Sequence, residues 1–409
     1  MRGVLLALAC AQLLTSSSHA KCSPGCTCAG TRATCAQANL TTVPDDLPRN
    51  ITELNIDGAT LRELRTIPNY PELAKLAISN SGLRYVVPGV FRNMSMLNHL
   101  ILDDNELTGL WSETFQGLES LIILSLEGNL LHVLHNNTFR GAEMPKLETL
   151  ILRKCNLFKV EARAFVTLIR LEELVLDHNQ LEDIPLIGSI NGELETLKVL
   201  DLSHNRIRNI TADPFSQLGH LTKLLLNSNK ISSLSVTSFS GLVDLKELSL
   251  RDNQIPYVAN YTFSGLNKLQ DLDLSYNALT ILLAYQVPSN LTSLHLHHNP
   301  WRCDCHLEWM LTNNAVQTTN SEIPGFVCRQ PEALKNQSIL QLNPNDVCSG
   351  PPHPYHSGNA HLNVVLGLVL SFLAVGAAIY VGCVLYRKHA RKRALQYNSI
   401  TRETEMFSI

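Results

Sequence analysis

The sequence lacks an excess of positive charge. It holds 33 Lys and Arg against 36 Asp and Glu, which gives a formal net charge of −3. Six of the cationic residues follow Tyr386, so the part of the chain before that residue is more acidic than the whole. An acidic region of this kind argues against nucleic acid or heparin-like polyanions as the main partner.

Catalytic and metal-binding motifs are also missing. The chain contains no G-x-S-x-G, no H-E-x-x-H and no glycine-rich phosphate loop. Cys303 and Cys305 form a C-x-C pair, which lacks the C-x2-4-C spacing of zinc sites. His295, His297 and Asp273 could approach one another on neighbouring strands, but solvated strand residues explain them more simply than a zinc site. The sequence therefore predicts a protein that is not an enzyme and needs no cofactor or metal.

The amino-terminal end has the pattern of a secretory signal. Arg2 precedes an apolar run over Val4–Leu14, and Ser18 and Ala20 supply the small side chains that a signal peptidase prefers. The apolar run is shorter than the roughly 20 residues that a membrane helix requires. We expect a signal peptide over residues 1–20.

A longer apolar run lies near the carboxyl-terminal end. Val364–Tyr386 contains no charged residue and, at about 1.5 Å per residue, can cross a hydrocarbon core of about 30 Å. Lys and Arg are concentrated directly after it, over residues 387–393, which marks that side as cytoplasmic. We expect a transmembrane helix over residues 363–386, in the plasma membrane, with the amino-terminal part outside the cell.

Cysteines and glycosylation sequons agree with export. Of the 11 cysteines, two groups of four lie in the predicted exterior and indicate disulfide-bonded knots. Their members are Cys22, Cys26, Cys28 and Cys35, then Cys303, Cys305, Cys328 and Cys348. Cys10 lies in the predicted signal peptide and Cys383 in the predicted span. Cys155 is then left over, and we expect it to be a buried thiol. N-x-S/T sequons occur only before the predicted span, at Asn39, Asn50, Asn93, Asn136, Asn209, Asn260, Asn290 and Asn336.

A repeated phrase, L-x-x-L-x-L-x-x-N-x-L, predicts the fold. The residues at its Asn position, called the ladder positions below, recur every 22 to 26 residues, within the period of about 20 to 29 residues of leucine-rich repeats. They are Ala59, Ser81, Asn105, Asn129, Cys155, Asn179, Asn205, Asn229, Asn253, Asn277 and Asn299. Each repeat unit, or coil, supplies a short strand whose two leucines point the same way. Stacked coils then share one apolar core.

Two further positions recur in each coil. The ladder side chain is expected to bond backbone groups of adjacent coils that would otherwise be buried without partners. A phenylalanine also recurs outside the strand, and we interpret it as core. These are Phe91, Phe115, Phe139, Phe165, Phe215, Phe239 and Phe263.

The cysteine groups lie where an open solenoid requires caps. The spacing C-x3-C-x-C-x6-C after Cys22, and N-P-W-x-C-x-C from Asn299 followed by Trp309, resemble the caps of extracellular leucine-rich-repeat proteins. That group includes Toll-like receptors, variable lymphocyte receptors, and neuronal adhesion and guidance proteins. The resemblance covers Lys21 to about Gly350, but no Toll/interleukin-receptor, kinase or immunoglobulin domain accompanies it. It implies the disulfide pairs Cys22–Cys28, Cys26–Cys35, Cys303–Cys328 and Cys305–Cys348.

The predicted fold is an α/β leucine-rich-repeat solenoid, a horseshoe with parallel strands on its concave face, disulfide caps and one transmembrane helix. The expected organisation is a signal peptide over 1–20, an amino-terminal cap over 21–50, repeats over 51–299, a carboxyl-terminal cap over 300–349, a stalk over 350–362, a membrane helix over 363–386 and a cytoplasmic tail over 387–409.

The concave face carries the predicted ligand site. Non-leucine strand residues should face solvent there, and aliphatic side chains concentrate in the middle coils. Exposed apolar area bordered by charge often marks a protein interface. The candidate residues are Ile101, Ile123, Ser125, Ile151 and Val175, with Arg153 and Asp177 at the polar rim. The alternative is that isolated aliphatics simply favour strand.

These patterns predict a cell-surface recognition or adhesion receptor for an extracellular protein ligand or co-receptor, as a homo- or hetero-oligomer or alone. Two alternatives stay open: an innate immune receptor for microbial glycans or lipids, and an accessory subunit that modulates another membrane protein. In the tail, Tyr397 and Ile400 match the Y-x-x-apolar pattern of sorting signals.

Overall fold

The computed structural model describes residues 22–36, 39–136, 138–141, 144–185, 194–210 and 213–348. The predicted signal peptide, stalk, membrane helix and tail, including Tyr397 and Ile400, lie outside these residues. Among the helices within them, none has both the length and the apolar composition needed to cross a bilayer.

Thirteen strands form one sheet, in the order β1-β2-β3-β5-β7-β8-β10-β12-β13-β14-β15-β16-β17. The first pair is antiparallel and the later pairs are parallel. These strands are β1 Cys26–Ala29, β2 Arg32–Ala36, β3 Glu53–Asp57, β5 Lys75–Ser79, β7 His99–Ile101, β8 Ile123–Ser125, β10 Thr149–Ile151, β12 Glu173–Val175, β13 Val199–Asp201, β14 Lys223–Leu225, β15 Glu247–Ser249, β16 Asp271–Asp273 and β17 Ser293–His295.

Shorter elements lie outside this sheet. Strands of two or three residues pair in parallel, and the final segment holds short helices. The strands are β4 Glu63–Leu64, β6 Tyr85–Val86, β9 Val133–Leu134, β11 Lys159–Val160, β18 Trp301–Arg302 and β19 Cys328–Gln330. The α-helices are Glu308–Thr312, Asn314–Asn320 and Pro344–Val347, and the 3-10 turns are Ala284–Gln286, Cys305–Leu307, Glu332–Leu334 and Ile339–Gln341.

The leucines of the phrase form the core, as predicted. In β7, Leu100 and the following Leu102 are both 0% exposed, whereas Ile101 between them is half-buried. Leu100 pairs in register with Leu124 of β8, so equivalent leucines stack from coil to coil. Full burial of one such side chain contributes about 1.5–3 kcal/mol, and the repeated column stabilises coils that have no closed core of their own.

The ladder side chains bond across coils, which confirms the expectation. Asn129 accepts a hydrogen bond at Oδ1 from the backbone N–H of Leu107 at 3.0 Å and donates from Nδ2 to the carbonyl of Leu102 at 2.9 Å. Cys155 is 0% exposed, and its thiol donates to the carbonyl of Leu126 at 3.1 Å. Because a thiol has no amide oxygen, the N–H of Leu131 donates instead to the backbone oxygen of Cys155 at 3.1 Å. Burial raises the pKa of the Cys155 thiol to about 12.

The residue before each ladder position adopts a left-handed conformation. Its φ lies between 48° and 71° in every coil, which closes the sharp bend after the strand. The residues are Gly58, Asn80, Asp104, Gly128, Lys154, His178, His204, Ser228, Asp252, Tyr276 and His298. Most are Gly, Asn, Asp or polar types that tolerate this region better than β-branched residues.

Phenylalanines fill the side of the core away from the sheet, as predicted. All seven are 5% exposed or less. Phe91, Phe115, Phe139 and Phe165 form one stack with ring centroids 6.0–6.4 Å apart. A second stack begins at Phe215, whose ring lies 6.4 Å from that of Phe239.

Both ends of the solenoid carry disulfides. The Cys26–Cys35 bond joins β1 to β2, and the Cys22–Cys28 bond joins the segment before β1 to that strand. Cys303–Cys328 joins the segments of β18 and β19.

The fourth implied disulfide is not formed. Cys305 and Cys348 are free thiols in this structure. They contact each other through a hydrogen bond, which raises the pKa of the Cys348 thiol to about 12. Cys348 Sγ also lies 3.8 Å from a carboxylate oxygen of Glu308.

Candidate ligand-binding face

The exposed side of the large sheet is the candidate site, and we call it the open face. It consists of the residues on either side of the buried leucine in each strand. From β7 onward these residues are half-buried, except for Ser125, which is buried. Successive side chains of a strand point to opposite faces of the sheet. Because the leucine points into the core, the residues on either side of it face outward. The open face is therefore a continuous row of side chains available to a partner.

Aliphatic side chains occupy the middle of the open face, where the sequence predicted them. Ile101, Ile151 and Val175 are half-buried, and Ile151 pairs directly with Val175. Ile123 is also half-buried and lies beside Thr149 of the next strand. These four side chains, called the aliphatic strip below, give a shallow apolar surface.

Ser125 interrupts this strip and does not belong to its surface. Its side chain is 5% exposed, and its hydroxyl donates to Asp103 Oδ1 at 2.6 Å. The same carboxylate oxygen accepts the backbone N–H of Glu127 at 3.0 Å. Burial raises the pKa of Asp103 above its usual value. Ser125 is therefore buried where the sequence predicted an exposed side chain, because a bond to the preceding coil turns its hydroxyl away from solvent. Its role as a ligand contact stays a prediction.

Arg153 and Asp177 form an ion pair at the edge of the strip. Arg153 Nε lies 2.9 and 2.8 Å from the two carboxylate oxygens of Asp177, and Nη2 lies 2.8 Å from one of them. His178 Nδ1 lies 2.7 Å from the same carboxylate. Burial acts to raise the pKa of Asp177, but the hydrogen bonds from Arg153 and His178 bring it below its usual value.

The two partners of this ion pair differ in exposure. The Asp177 side chain is 1% exposed, whereas 40% of Arg153 is exposed. Asp177 is therefore buried where the sequence predicted an exposed rim residue, and its carboxylate bonds within the protein, whereas Arg153 is exposed. Their roles as ligand contacts stay predictions. A second pair, Lys154 Nζ and Glu127 Oε1 at 3.0 Å, borders the strip on the side of the preceding coil.

The carboxyl-terminal end of the open face has a different chemistry. The Arg251 guanidinium lies 4.3 Å from the ring centroid of Tyr276, which stacks on His298 at 4.1 Å. Arg251 Nη1 is 3.2 Å from His297 Nε2, and burial lowers the pKa of His297. His295 Nε2 is 3.7 Å from Asp271 Oδ1. Within the described part of the chain, no group of three or more potential ligands is placed to hold a metal ion.

The sequons lie away from this surface. All eight asparagines are exposed, and none is a residue of the large sheet. Glycans attached there would cover loops and caps and leave the open face uncovered. Whether they are attached stays a prediction.

Sequence reasoning missed the contacts that join one coil to the next. Asp103 and Ser125 are 22 residues apart, and Arg153 and Asp177 are 24 apart. Arg153 and Asp177 each lie two residues before a ladder position, so equivalent positions in consecutive coils were the available signal for that pair. Asp103 and Ser125 are not at equivalent positions, so the repeat gave no such signal for them. Trp111, at 59% exposed, was also overlooked because it lies outside the repeated phrase.

Stacked parallel coils, a ladder of buried amides and disulfide-bonded ends define the leucine-rich-repeat class. The profile of the family described as "Leucine rich repeat" matches residues 71–131, 97–144 and 195–255, and that of "Leucine Rich repeats (2 copies)" matches 169–217. The chain is a leucine-rich-repeat protein.

Its relatives include trophoblast glycoprotein of Macaca fascicularis, which is 27% identical over 390 residues, covering 91% of this chain and 77% of the relative. Among solved structures, the mouse RP105/MD-1 complex matches with a TM-score of 0.65 and 25% identity, over 76% of this chain and 54% of the matched chain. The Drosophila Toll–Spatzle complex matches in fold, with a TM-score of 0.62 and 22% identity, over 77% of this chain and 48% of that one. This chain thus spans only about half the length of those two solved chains.

Proposed function

We propose that the protein is a cell-surface recognition or adhesion receptor that binds an extracellular protein through the open face. The aliphatic strip carries the proposal. It is apolar, flanked by the charged Arg153 and by the Lys154–Glu127 pair, and free of sequons. An apolar centre with a charged border is the usual anatomy of a protein interface.

The aliphatic strip lies on paired strands, which fix its side chains more firmly than loops would. The side chains of the aliphatic strip stand on paired strands whose leucines are fully buried, so their positions are set before a ligand arrives. A preorganised surface loses little conformational entropy on binding. Arg153 is held by two hydrogen bonds to Asp177, and Arg is a common anchor residue in interfaces.

A protein partner fits the comparisons. The RP105 structure, at 25% identity, is a complex with MD-1. The shallow strip also suits a broad protein surface better than a small molecule, which needs a concave pocket. We therefore assign no catalytic role, and we place the binding region on the extracellular side of the membrane. A co-receptor or a second copy of the chain would use the same kind of contact.

Proximity labelling on intact cells would first identify the partner. Its binding would then be measured with Ile151→Asp and Val175→Asp, which place a carboxylate in the strip. We expect each to weaken binding about 30-fold, which corresponds to about 2 kcal/mol at an interface anchor.

Leu225→Asp is the matched control. Leu225 is half-buried in the same row, two strands beyond Val175. It should retain binding, while unfolding curves of all three variants confirm the fold. Unchanged binding in both strip variants would refute the proposal. Capture of microbial glycans or lipids in place of a protein, or a partner that binds only within the membrane in detergent, would support the alternative roles instead.

A further inference from the structure

A depression of about 560 Å³ lies on the flank of the solenoid, away from the open face. It is formed by equivalent loops of two consecutive coils, with Trp111 on the first and Asn136 on the second. Gly109, Leu131 and Val133 also line it. Its size is within the roughly 300–1,000 Å³ of small-molecule sites, yet it contains the acceptor residue of a sequon.

Trp111 offers a large uncovered aromatic surface here. Its side chain is 59% exposed, in contrast to Trp301, which is 0% exposed. The local backbone is held in place, because the N–H of Trp111 donates to Thr114 Oγ1 at 2.9 Å. The exposure is therefore a property of an ordered loop. The negative face of an indole ring attracts the C–H groups of a sugar ring, which carry partial positive charge.

Asn136 is oriented by the following coil. Its Oδ1 accepts the backbone N–H of Arg163 at 3.2 Å, and its own N–H donates to Glu161 Oε2 at 2.9 Å. Because Arg163 N–H is a donor, the amide atom facing it is the oxygen. Nδ2, the atom that carries an N-linked glycan, therefore points away from the Arg163 loop. Among hydrogen bonds between described residues, none engages this Nδ2.

We propose that Trp111 is a docking platform for the first sugar of a glycan attached to Asn136. The glycan is the occupant that the geometry favours, because it starts at the edge of the depression. A tethered ring needs little affinity, since attachment gives it a high effective concentration. Stacking would fix the glycan along the flank, cover the exposed indole and keep the carbohydrate clear of the open face.

The test measures how accessible Trp111 is in the full-length protein. Trp301 is buried and Trp309 is half-buried, so acrylamide quenches mainly Trp111 fluorescence, and Trp111→Phe supplies the background. Removing the glycan with Asn136→Gln should raise the quenching constant of the Trp111 component about twofold, because a sugar would cover one of the two indole faces. Asn93→Gln removes another sequon that does not line the depression and should change nothing.

A second readout follows the glycan itself. Release of the Asn136 glycan by an N-glycanase acting on the folded protein should be several-fold faster in Trp111→Ala, and Trp111→Phe should restore slow release because it keeps an aromatic face. Mass spectrometry reports occupancy at Asn136 at each step. An unoccupied Asn136, equal quenching with and without Asn136→Gln, or equal release rates in the three Trp111 forms would each overturn the proposal.

Discussion

The middle of the open face and its carboxyl-terminal end stand on the same ladder but hold charge in different ways. In the middle, the buried Asp177 is neutralised by Arg153, a partner that stays charged at any physiological pH. At the end, the Arg251 guanidinium contacts the imidazole of His297 and the ring of Tyr276. Imidazole changes its charge between about pH 5 and 8. One scaffold thus pairs a buried carboxylate with a permanent cation, alongside His178, in one region and places an arginine against an imidazole in another.

The largest expected effect is the loss of folding free energy when a ladder residue is replaced, compared between the two regions. Asn253 donates to the carbonyls of Leu226 and Leu250 at 3.0 Å and accepts the N–H of Ile231 at 2.9 Å. Asn253→Ala leaves these buried groups without partners, at about 1–3 kcal/mol each. We expect the free energy of unfolding to fall by about 3 kcal/mol or more, measured by urea denaturation.

Cys155→Ala in the middle of the ladder is the control for that comparison. A thiol is a weak hydrogen-bond donor, and the N–H of Leu131 already uses the backbone oxygen of Cys155. The loss should be less than half that of Asn253→Ala. Equal losses would mean that the cysteine supports its coil as fully as an amide does.

The next effect concerns the carboxylates of the two regions. Asp177→Asn removes the charge-assisted bonds to Arg153 and His178 and should lower the free energy of unfolding by about 1–2 kcal/mol. Asp271→Asn is the counterpart at the far end. Burial raises the pKa of Asp271, and its nearest imidazole nitrogen is 3.7 Å away.

For Asp271→Asn we therefore expect a change below about 0.5 kcal/mol, because a loose and partly exposed ion pair contributes little. Thermal unfolding of both variants at pH 7 measures the difference. A similar loss of stability in the two variants would show that the Asp177 and Asp271 pairs do not differ in strength.

The smallest effect is the response to acid. Burial places the folded-state pKa of His297 below its ordinary value of 6.5, so the unfolded chain takes up the proton first. Stability is full above that value and falls as the pH drops below it. Asp177 has a folded-state pKa below its ordinary 3.8. Its contribution to stability is therefore full above pH 3.8 and is lost only as the pH falls from there through the folded-state pKa.

Between pH 7 and 5, hydrogen exchange should therefore accelerate in β16 and β17 but not in β10 and β12. His297→Gln, which keeps an acceptor for Arg251, should abolish this difference. Equal acceleration in both regions would show that some other group senses the acid.

The fold followed from the sequence because leucine periodicity reports directly which way a side chain points. Coil number, ladder positions and the phenylalanine stacks were predictable for that reason. The open face as a ligand site stays a prediction, and the exposure of its residues was predicted only in part. Ile151 and Val175 lie where period two places them, but Ser125 and Asp177 are buried by partners one coil away. Strand periodicity gives a direction, whereas burial of a polar group depends on the neighbouring coil. Residues 363–386 remain a predicted membrane helix.

Among the described residues, each coil contacts mainly the coil before it and the coil after it, through the ladder side chains, the leucine core and side-chain bonds such as that between Arg153 and Asp177. Because each coil is stabilised by its neighbours, such an array would unfold one coil after another when it is pulled along its length. If tension between two cells acted on the ends, the disulfide-bonded Cys303–Cys328 loop would stay closed while coils between the caps peeled away in steps. Each released coil would lengthen the molecule by a similar amount, so the protein would behave as an extensible tether with evenly spaced force peaks.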